Sequence, residues 1–421
     1  MNINTEALEI DERPLSEIDV SDAQIYLEDR WQPVFRRLRR DAPVHFHESS
    51  PTGPYWSVSS HALIKAVDTQ HDVFSSADGI SIAETPPEDE LKDTDVVIEN
   101  FIAMDPPGHD QQRATVAPSV APSNLANFEP LIRERVADIL DHLPVGETFD
   151  WVDAVSVELT ARMLATLFDF PYEDRRKLIH WSDITTSTPE LTGGEVIDQH
   201  QRKEDLMECA QVFLQLWQER AAAEPKFDLI SMLAHGKDTK EMIQQPMLFL
   251  RNILLLIVGG NDTTRNSISG GVLALNQFPD EYEKLQANPG LIPNMVSEMV
   301  RWQTPVIHMR RRAMRDIELG GKTIREGDKV VMWYLSGNRD EAVYTQPDKM
   351  IVDRPNARSH VAFGYGIHRC MGNRLAEMQL RVLWEEIEKR FKKVEVVGDV
   401  KRNANNFIRG INTLPVQLHP I

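Results

Sequence analysis

Residues 359–376 read Ser-His-Val-Ala-Phe-Gly-Tyr-Gly-Ile-His-Arg-Cys-Met-Gly-Asn-Arg-Leu-Ala. Beyond Cys370 the apolar residues recur at steps of four, three and four, the spacing of a helix with one buried face: Ala376, Leu380, Leu383 and Ile387. Cys370 therefore lies at or just before a helix start, where free backbone N–H groups and the helix dipole favour a thiolate. Positions without a side chain surround it: Gly364, Gly366 and Gly372. They let the main chain approach a flat ligand, so the stretch predicts a ligand or nucleophile beside a large planar cofactor.

Cys370 has simpler interpretations when it is taken alone. A lone cysteine in a globular protein is usually a small buried apolar residue. A protease-type cysteine needs a separately placed histidine, and His368 is only two residues away. Structural zinc sites use several cysteines, and the only other one here is Cys209. The residues themselves leave a buried thiol and a cofactor ligand open.

The full stretch resembles a known family. From Phe363 to Gly372 it follows Phe-x-x-Gly-x-x-x-Cys-x-Gly, the haem-binding loop of the cytochrome P-450 superfamily. The resemblance implies a mainly α fold with a minor β-region, a haem b cofactor, and Cys370 as the thiolate ligand of its iron. It also places Phe363 and Gly364 against the haem and His368 at a haem propionate.

Composition limits the partners. The chain has 421 residues and a net charge of −19, which argues against general binding to nucleic acid or anionic membranes. Two cysteines fit a reducing cytoplasm. The N-terminus lacks the apolar core of a signal peptide, and the most apolar run, residues 247–260, is interrupted by Arg251 and Asn252. We expect a soluble cytoplasmic protein without a membrane anchor.

The rest of the chain reads mostly as helix. Residues 1–20 are predicted to be a polar extension, and residues 22–40 a helix followed by two strands near 44–47 and 55–58. Residues 75–100 are small, acidic and proline-containing, which predicts a loop that either covers the substrate or is disordered. Residues 183–194 read as a flexible connection, where the resemblance places the substrate-access lid.

A second motif, Asp-Pro-Pro-Gly-His-Asp-Gln-Gln-Arg, occupies residues 105–113. The prolines allow a helix to start near Gly108, which puts His109 and Arg113 on one face. Spacing alone favours a solvated pair. The motif resembles the family's Asp-Pro-Pro-x-His-x-x-x-Arg, and the resemblance implies that both side chains bind haem propionates.

A third motif lies within residues 246–278, which can form one helix of roughly 50 Å. Gly259 and Gly260 are followed by Asp262 and Thr263, and local rules favour a break there, with Asp262 capping a second helix. The resemblance instead implies one long helix over the distal face of the haem, with the glycines leaving room for O₂. Thr263 then orders dioxygen and water, and Asp262 relays protons.

A fourth motif is Glu298-Met-Val-Arg301. On a helix surface such a pair contributes a few tenths of a kcal/mol. The family's Glu-x-x-Arg is a buried structural pair, for which Arg354 is the expected third partner. Neither residue is assigned to the chemistry.

Three consecutive arginines occupy positions 310–312, a pattern that usually marks a solvated face. Counting back from Asp316 in the family's Arg-x-x-x-x-Asp pattern makes Arg311 the expected propionate ligand. Arg310 and Arg312 are not excluded.

The four motifs occur in the family's order across the chain. They imply a single haem-thiolate monooxygenase domain over residues 1–421, using O₂ and electrons derived from NAD(P)H. The length leaves no room for a reductase, so a [2Fe-2S] ferredoxin and its FAD-containing reductase are the expected partners. Arg113, Arg369 and Arg374 are candidates for a basic docking patch, although solvated charge or haem binding explains them equally well.

Further details resemble the bacterial alkane and fatty-acid terminal hydroxylases, in residues 260–266, 304–311 and 366–379. That resemblance implies terminal hydroxylation of a medium-chain substrate in a narrow apolar channel, with these candidate lining residues: Leu255, Val258, Gly259, Ile307 and Phe407. Core packing is the alternative for each. A steroid or terpenoid hydroxylase, a peroxide-driven hydroxylase and a non-enzymatic haem sensor remain open as functions.

Overall fold

The computed structural model describes residues 10–83, 100–193 and 198–421. Most of them are helical. The longer helices are α1 Trp31–Asp41, α2 His61–Thr69, α3 Gly108–Val116, α4 Pro122–Asp141, α5 Glu158–Phe168, α6 Arg176–Thr186, α7 Gln199–Ala221, α8 Leu229–His235, α9 Pro246–Gln277, α10 Pro279–Ala287, α11 Ile292–Gln303 and α12 Asn373–Ile387. Short helical turns lie at Gln24–Leu27, Pro189–Thr192 and Tyr334–Gly337.

The β-structure is minor, as predicted. Its strands are β1 Val44–His47, β2 Tyr55–Val58, β3 Phe74–Ser75, β4 Phe149–Asp150, β5 Met309–Ala313, β6 Ile317–Leu319, β7 Lys322–Ile324, β8 Lys329–Met332, β9 Phe391–Val396 and β10 Pro415–Pro420. The largest sheet has the order β1-β2-β8-β5-β3, in which only β2 and β8 pair in parallel. A second sheet has the order β4-β10-β9, and β6 and β7 form a hairpin. The expected mainly α fold with a minor β-region is confirmed.

Helix α9 is continuous from Pro246 to Gln277, so the break favoured by local rules is wrong. Each glycine costs about 1 kcal/mol relative to alanine in a helix, but packing outweighs that cost here. A Cβ on Gly260 would lie 2.8 Å from Leu164 of α5, and one on Gly271 would lie 2.7 Å from the Met299 sulfur of α11. The glycines therefore allow close contact between α9 and its neighbours.

Helix α12 follows Cys370 as the spacing predicts. Its apolar face is buried in the largest core cluster through Leu380, Leu383 and Ile387. Because α12 packs against α4 and α11, the loop that carries Cys370 starts from a fixed helix end.

The N-terminal region differs from the expectation. The single helix predicted for residues 22–40 is broken at Asp29, whose φ of 54° ends one turn and whose carboxylate accepts hydrogen bonds from Trp31 and Arg409. Within the predicted extension, Ile18 and Val20 are buried in a core cluster with α1, because their apolar side chains pack there.

Some expectations lie outside the described residues. These are residues 1–9 of the expected extension, residues 84–99 of the predicted covering loop, and Gly194 at the end of the predicted lid connection. Across the three described ranges, the structure contains no helix with the length and apolar character needed to cross a membrane.

Candidate functional site

A cavity lies between helix α9 and the loop at residues 363–372. It brings together side chains that are far apart in the sequence. The predicted site residues on its surface are Arg113, Leu255, Val258, Gly259, Gly260, Thr263, Arg311, Phe363, Gly364, His368, Cys370 and Phe407.

The Cys370 side chain faces this cavity. Its loop is closed by a 2.8 Å hydrogen bond from the Cys370 N–H to the Phe363 carbonyl. The Cys370 side chain is exposed to the cavity, but desolvation by the surrounding protein raises the pKa of its thiol, whereas the N–H of Gly372 and the charge of Arg113 act in the opposite direction. Desolvation therefore outweighs the helix-terminus effect expected from the sequence. Coordination to a metal ion would lower the pKa of the Cys370 thiol again, because a coordinating thiol is deprotonated.

Asp68, at the end of α2, holds the cysteine loop. Its Oδ2 accepts hydrogen bonds from the Tyr365 N–H and the Tyr334 hydroxyl, each at 2.8 Å. Gly366 has a φ of 66°, and a Cβ there would overlap the Asp68 carbonyl oxygen. Asp68 Oδ1 also accepts a 2.8 Å hydrogen bond from Arg311. The sequence carries no local signal for Asp68, because its partners come from distant parts of the chain.

Two histidines meet beside the loop. The rings of His109 and His368 pack edge to face with centroids 4.4 Å apart. His109 Nδ1 contacts Asp110, whereas His109 Nε2 and both ring nitrogens of His368 are buried and have no hydrogen-bond partner among the described residues. Burial lowers the pKa of His368 to about 2, with smaller contributions from Arg311 and other nearby cations, so its ring is neutral. Unpaired buried ring nitrogens indicate a polar ligand.

Of the three consecutive arginines, only Arg311 lies on the cavity. Arg310 directs its Nε toward the Gly79 carbonyl at 3.3 Å. Arg312 bonds to the Gly327 carbonyl and pairs with Asp78. Strand β5 alternates its side chains, so neighbouring arginines point to different sides.

These groups fit a haem. Cys370 would supply a sulfur ligand for its iron, and Arg113 and Arg311, which line the same cavity, would supply two cations for its two propionates. His368, which also lines the cavity, adds two ring nitrogens without a partner among the described residues. The donor set matches a flat, dianionic group with a central metal.

Helix α9 forms the opposite wall. A Cβ placed on Gly259 would have no atom within 4 Å, so this position keeps the cavity open. Gly260 also borders the cavity, but its Cβ direction is toward Leu164. The Thr263 hydroxyl lies on the cavity and donates a 2.9 Å hydrogen bond to the Gly259 carbonyl. A hydroxyl bonded in this way can still accept a hydrogen bond from water or a ligand.

Asp262 is fully buried and faces α6 rather than the cavity. Its Oδ1 lies 2.9 Å from Arg265 and 3.1 Å from the amide of Asn261. Burial raises the pKa of Asp262; Arg265 lowers it and the negative charge of Asp183 raises it further. Arg265 also contacts Asp183 at 2.5 Å, and the Asp183 side chain is 46% exposed. The three charges link the buried carboxylate to solvent.

Arg265 and Asp183 were not predicted from the sequence. Arg265 is three residues after Asp262, and that spacing on a helix was an available signal. Asp183 lies on another helix, so its contact depends on how α6 packs.

Glu298 and Arg301 form a buried pair with Arg354. The Glu298 carboxylate receives hydrogen bonds from Arg301 at 2.7 and 2.8 Å and from Arg354 at 2.9 Å. Arg301 also donates to three backbone carbonyls. The group lies outside the cavity surface, in agreement with a structural assignment.

The cavity surface differs from the expected lining at one position. Ile307 is fully buried in the N-terminal core cluster, while Val306 and Met309 line the cavity. Val306 pairs with Ile408 in an isolated β-bridge before β5 begins at Met309, so Val306 faces the cavity while its neighbour Ile307 turns into the core. The apolar lining residues missed from the sequence include Ile80, Phe101, Ile102, Leu256 and Ile408.

Comparison with known proteins agrees with this site. The family model described as Cytochrome P450 matches residues 290–418. The chain is 36% identical to linalool 8-monooxygenase of Pseudomonas putida, covering 97% of this chain and all of that protein. It is 29% identical to the methyl-branched lipid omega-hydroxylase of Mycobacterium bovis, covering 99% of each.

A solved structure, CYP153D17 from Sphingomonas sp. PAMC 26605, is 49% identical and superposes with a TM-score of 0.90 over 96% of this chain and 100% of that chain. Identity above 30% across nearly the whole length, together with a cavity that combines a cysteine loop, paired arginines and an open helix wall, shows that this chain belongs to the cytochrome P450 family of haem-containing monooxygenases.

Proposed function

We propose that the enzyme hydroxylates the terminal carbon of medium-chain alkanes or fatty acids. The observation that supports this proposal is the chemistry of the cavity wall. Apart from Arg113, Arg311 and His368, which fit the haem, no charged or imidazole side chain among the described residues borders the cavity. Aliphatic and aromatic groups form most of the remaining surface, which favours an uncharged hydrocarbon segment beside the haem.

In this proposal Cys370 would bind the iron of haem b, and Arg113, His109, Arg311 and His368 would hold its propionates. Phe363 and Gly364, which line the cavity, would lie against the haem. The bound haem supplies the activation of O₂.

The protein residues orient the substrate and move protons. Gly259 leaves space next to the reacting carbon, and the Thr263 hydroxyl hydrogen-bonds to dioxygen or water there. Asp262 passes protons from the Arg265–Asp183 ion pair toward Thr263, which requires its side chain to turn from α6 to the cavity. Hydrocarbon substrates contact Leu255, Val258 and Phe407, together with Val306 and Met309 in place of Ile307.

A P450 monooxygenase takes electrons from redox partners. We propose a [2Fe-2S] ferredoxin and a flavin reductase that uses NAD(P)H. Arg369 and Arg374 are exposed next to the cysteine loop, and Arg113 donates a 2.5 Å hydrogen bond to the Arg369 carbonyl. Exposed cations at this position complement an acidic ferredoxin. We also propose a cytoplasmic location, because Cys209 and Cys370 are both free thiols.

A terpenoid hydroxylase is the second candidate. It is favoured by the likeness to an enzyme named linalool 8-monooxygenase. An apolar cavity accommodates a terpenoid carbon skeleton as well as a linear chain.

A spectral titration separates the two candidates. The purified haem protein is titrated with n-octane, decanoic acid, dodecanoic acid, linalool and a steroid. The measurement is the shift of the Soret band that occurs when a bound compound displaces water from the haem. Product analysis with ferredoxin and reductase then locates the hydroxyl group. A response to linear chains with ω-hydroxy products supports the proposal. A response to linalool alone would reassign the substrate class.

A further inference from the structure

His308 forms a hydrogen-bonded bridge behind the substrate cavity. Its side chain is fully buried, between Trp333 in the core and Phe407 on the cavity wall, with ring centroids 5.0 and 5.3 Å away. His308 Nε2 accepts a 2.8 Å hydrogen bond from the Ile82 N–H. His308 Nδ1 lies 2.8 Å from the Asn406 carbonyl.

Both bonds require one tautomer. A backbone N–H can only donate and a carbonyl can only accept, so Nε2 carries the lone pair and Nδ1 carries the proton. Burial lowers the pKa of His308 to about 3, with the Asn406 carbonyl acting in the opposite direction. The ring is therefore neutral at physiological pH and keeps both bonds. An aliphatic side chain at this position would supply neither.

The bridge joins three segments that line or border the cavity. Ile80 and Phe407 belong to the segments that contain Ile82 and Asn406, and both line the cavity. Asn406 continues the connection, since its N–H donates a 2.9 Å hydrogen bond to the Leu191 carbonyl in the turn Pro189–Thr192. The same parts of the chain also meet as one apolar cluster, formed by Leu191, Phe407 and Ile408 with Ile80, Ala83, Val306 and Met309 packed against it.

We propose that His308 is a specificity-determining residue that holds Ile80 and Phe407 in one wall and thereby limits the length and shape of the hydrocarbon that the cavity accepts. The proposal rests on the proposed function for its substrates, but the bridge itself concerns only the protein. His308 does not touch the substrate; it acts through Phe407, against which its ring packs, and through the Ile82 segment.

Two substitutions separate the two bonds. In His308→Asn the side-chain amide replaces Nδ1, so it retains the bond to the Asn406 carbonyl and loses the bond from Ile82. In His308→Gln the longer amide reaches the position of Nε2, so it retains the Ile82 bond and loses the other. His308→Ala loses both. His47→Asn is the matched control, because His47 is also buried in the large sheet but lies away from the cavity surface.

Amide hydrogen exchange on the haem-loaded protein tests the bridge without using activity. We expect His308→Asn to accelerate exchange at Ile82, His308→Gln to accelerate it at residues 405–408, and His308→Ala to do both. The control should do neither. Equal acceleration in peptides throughout the molecule, or unchanged exchange at Ile82 in His308→Asn and His308→Ala, would overturn the bridge.

Binding of fatty acids with 8, 10, 12 and 14 carbons tests selectivity. We expect His308→Ala to bind its preferred length about three- to tenfold more weakly, to flatten the profile of Kd against chain length, and to shift hydroxylation inward from the chain end. An unchanged profile and product position would overturn the proposal. Should the wild type bind no linear chain, the proposed function fails, and the selectivity comparison is made with linalool and its shorter and longer analogues.

Discussion

Arg265 Nη2 lies 2.9 Å from Asp262 Oδ1, one helical turn earlier on α9. The same nitrogen contacts Asp183 on α6 at 2.5 Å. The fully buried carboxylate of Asp262 is thus connected to the partly exposed carboxylate of Asp183 through one arginine side chain.

This ion pair predicts opposite pH shifts for two substitutions. Arg265 lowers the pKa of Asp262 and Asp183 raises it. If the ionised form of Asp262 accepts the proton, activity declines as pH falls through its pKa. Arg265→Gln should therefore move the acidic limb of the kcat profile to higher pH, and Asp183→Asn should move it to lower pH. The measurement is turnover against pH with reductase and ferredoxin in excess.

Arg176→Gln is the control for the Arg265 and Asp183 substitutions. Arg176 is the first residue of α6, and its side chain forms an exposed ion pair with Asp153. The control should leave the profile in place. Shifts of the same sign in Arg265→Gln and Asp183→Asn would exclude this electrostatic account.

Replacement of Cys370 should abolish the thiolate spectrum. Cys370→Ser and Cys370→Ala remove the sulfur that faces the cavity, so the reduced protein with CO should lose its red-shifted Soret band. Cys209→Ala should retain the band, since Cys209 is buried in α7, outside the cavity surface. A retained band in Cys370→Ala would refute the ligand assignment.

The adjacent glycines of α9 should respond differently to alanine. A Cβ at Gly259 meets no atom within 4 Å, so Gly259→Ala should fold normally and reduce the space for bulky substrates. A Cβ at Gly260 meets Leu164 at 2.8 Å, so Gly260→Ala should lower the free energy of unfolding by about 1–3 kcal/mol. Chemical denaturation and substrate titration of both variants measure the two effects. Equal loss of stability would show that Gly259 also has a packing role.

Arg311 should be needed to retain haem. Arg311→Gln removes a buried cation on the cavity and leaves Asp68 without its ion-pair partner, so haem loss should accelerate about tenfold. Arg312→Gln is the control, because Arg312 pairs with Asp78 away from the cavity. Transfer of haem to apomyoglobin measures the rate. Similar rates in the two variants would argue against Arg311 as a propionate ligand.

Glu388 should make stability depend on pH. Burial raises the pKa of Glu388 to about 7, and its Oε1 has no hydrogen-bond partner among the described residues. An acid whose pKa is higher in the folded state binds more protons there, so its ionisation lowers stability as pH rises from about 4.5 to 7. Glu388→Gln should therefore raise the Tm more at pH 8 than at pH 5. An equal change at both pH values would show that charge is not the cause.

Much of the fold could be predicted from the sequence. The apolar spacing after Cys370 located α12, and the long apolar run with its flanking segments located α9. Local rules nevertheless broke α9 at Gly259, because they count the cost of two glycines without the contacts that Gly260 and Gly271 permit. The helix predicted for residues 22–40 was also wrong, since its break depends on the distant partner Arg409.

The site could be predicted only in part. The resemblance to the family's motifs pointed to Cys370 and Thr263, which both line one cavity. Ile307 was misplaced because the chain before β5 is not a regular strand, and the direction of its side chain depends on the bridge that its neighbour Val306 forms with Ile408. No local sequence pattern predicts the contacts of Asp68 or the hydrogen bonds of His308.

The sequence by itself determined the types of group available, namely a cysteine before a helix, paired basic residues and a small-residue gap in a long helix. Those features follow from residue spacing along the chain, which sets helical faces and turns. The tertiary structure alone decided that Arg311 meets Asp68, that Arg265 joins Asp262 to Asp183, and that His308 connects Ile82 with Asn406. Apart from the Asp262–Arg265 pair, each of these contacts joins residues at least 82 positions apart and depends on how whole elements pack.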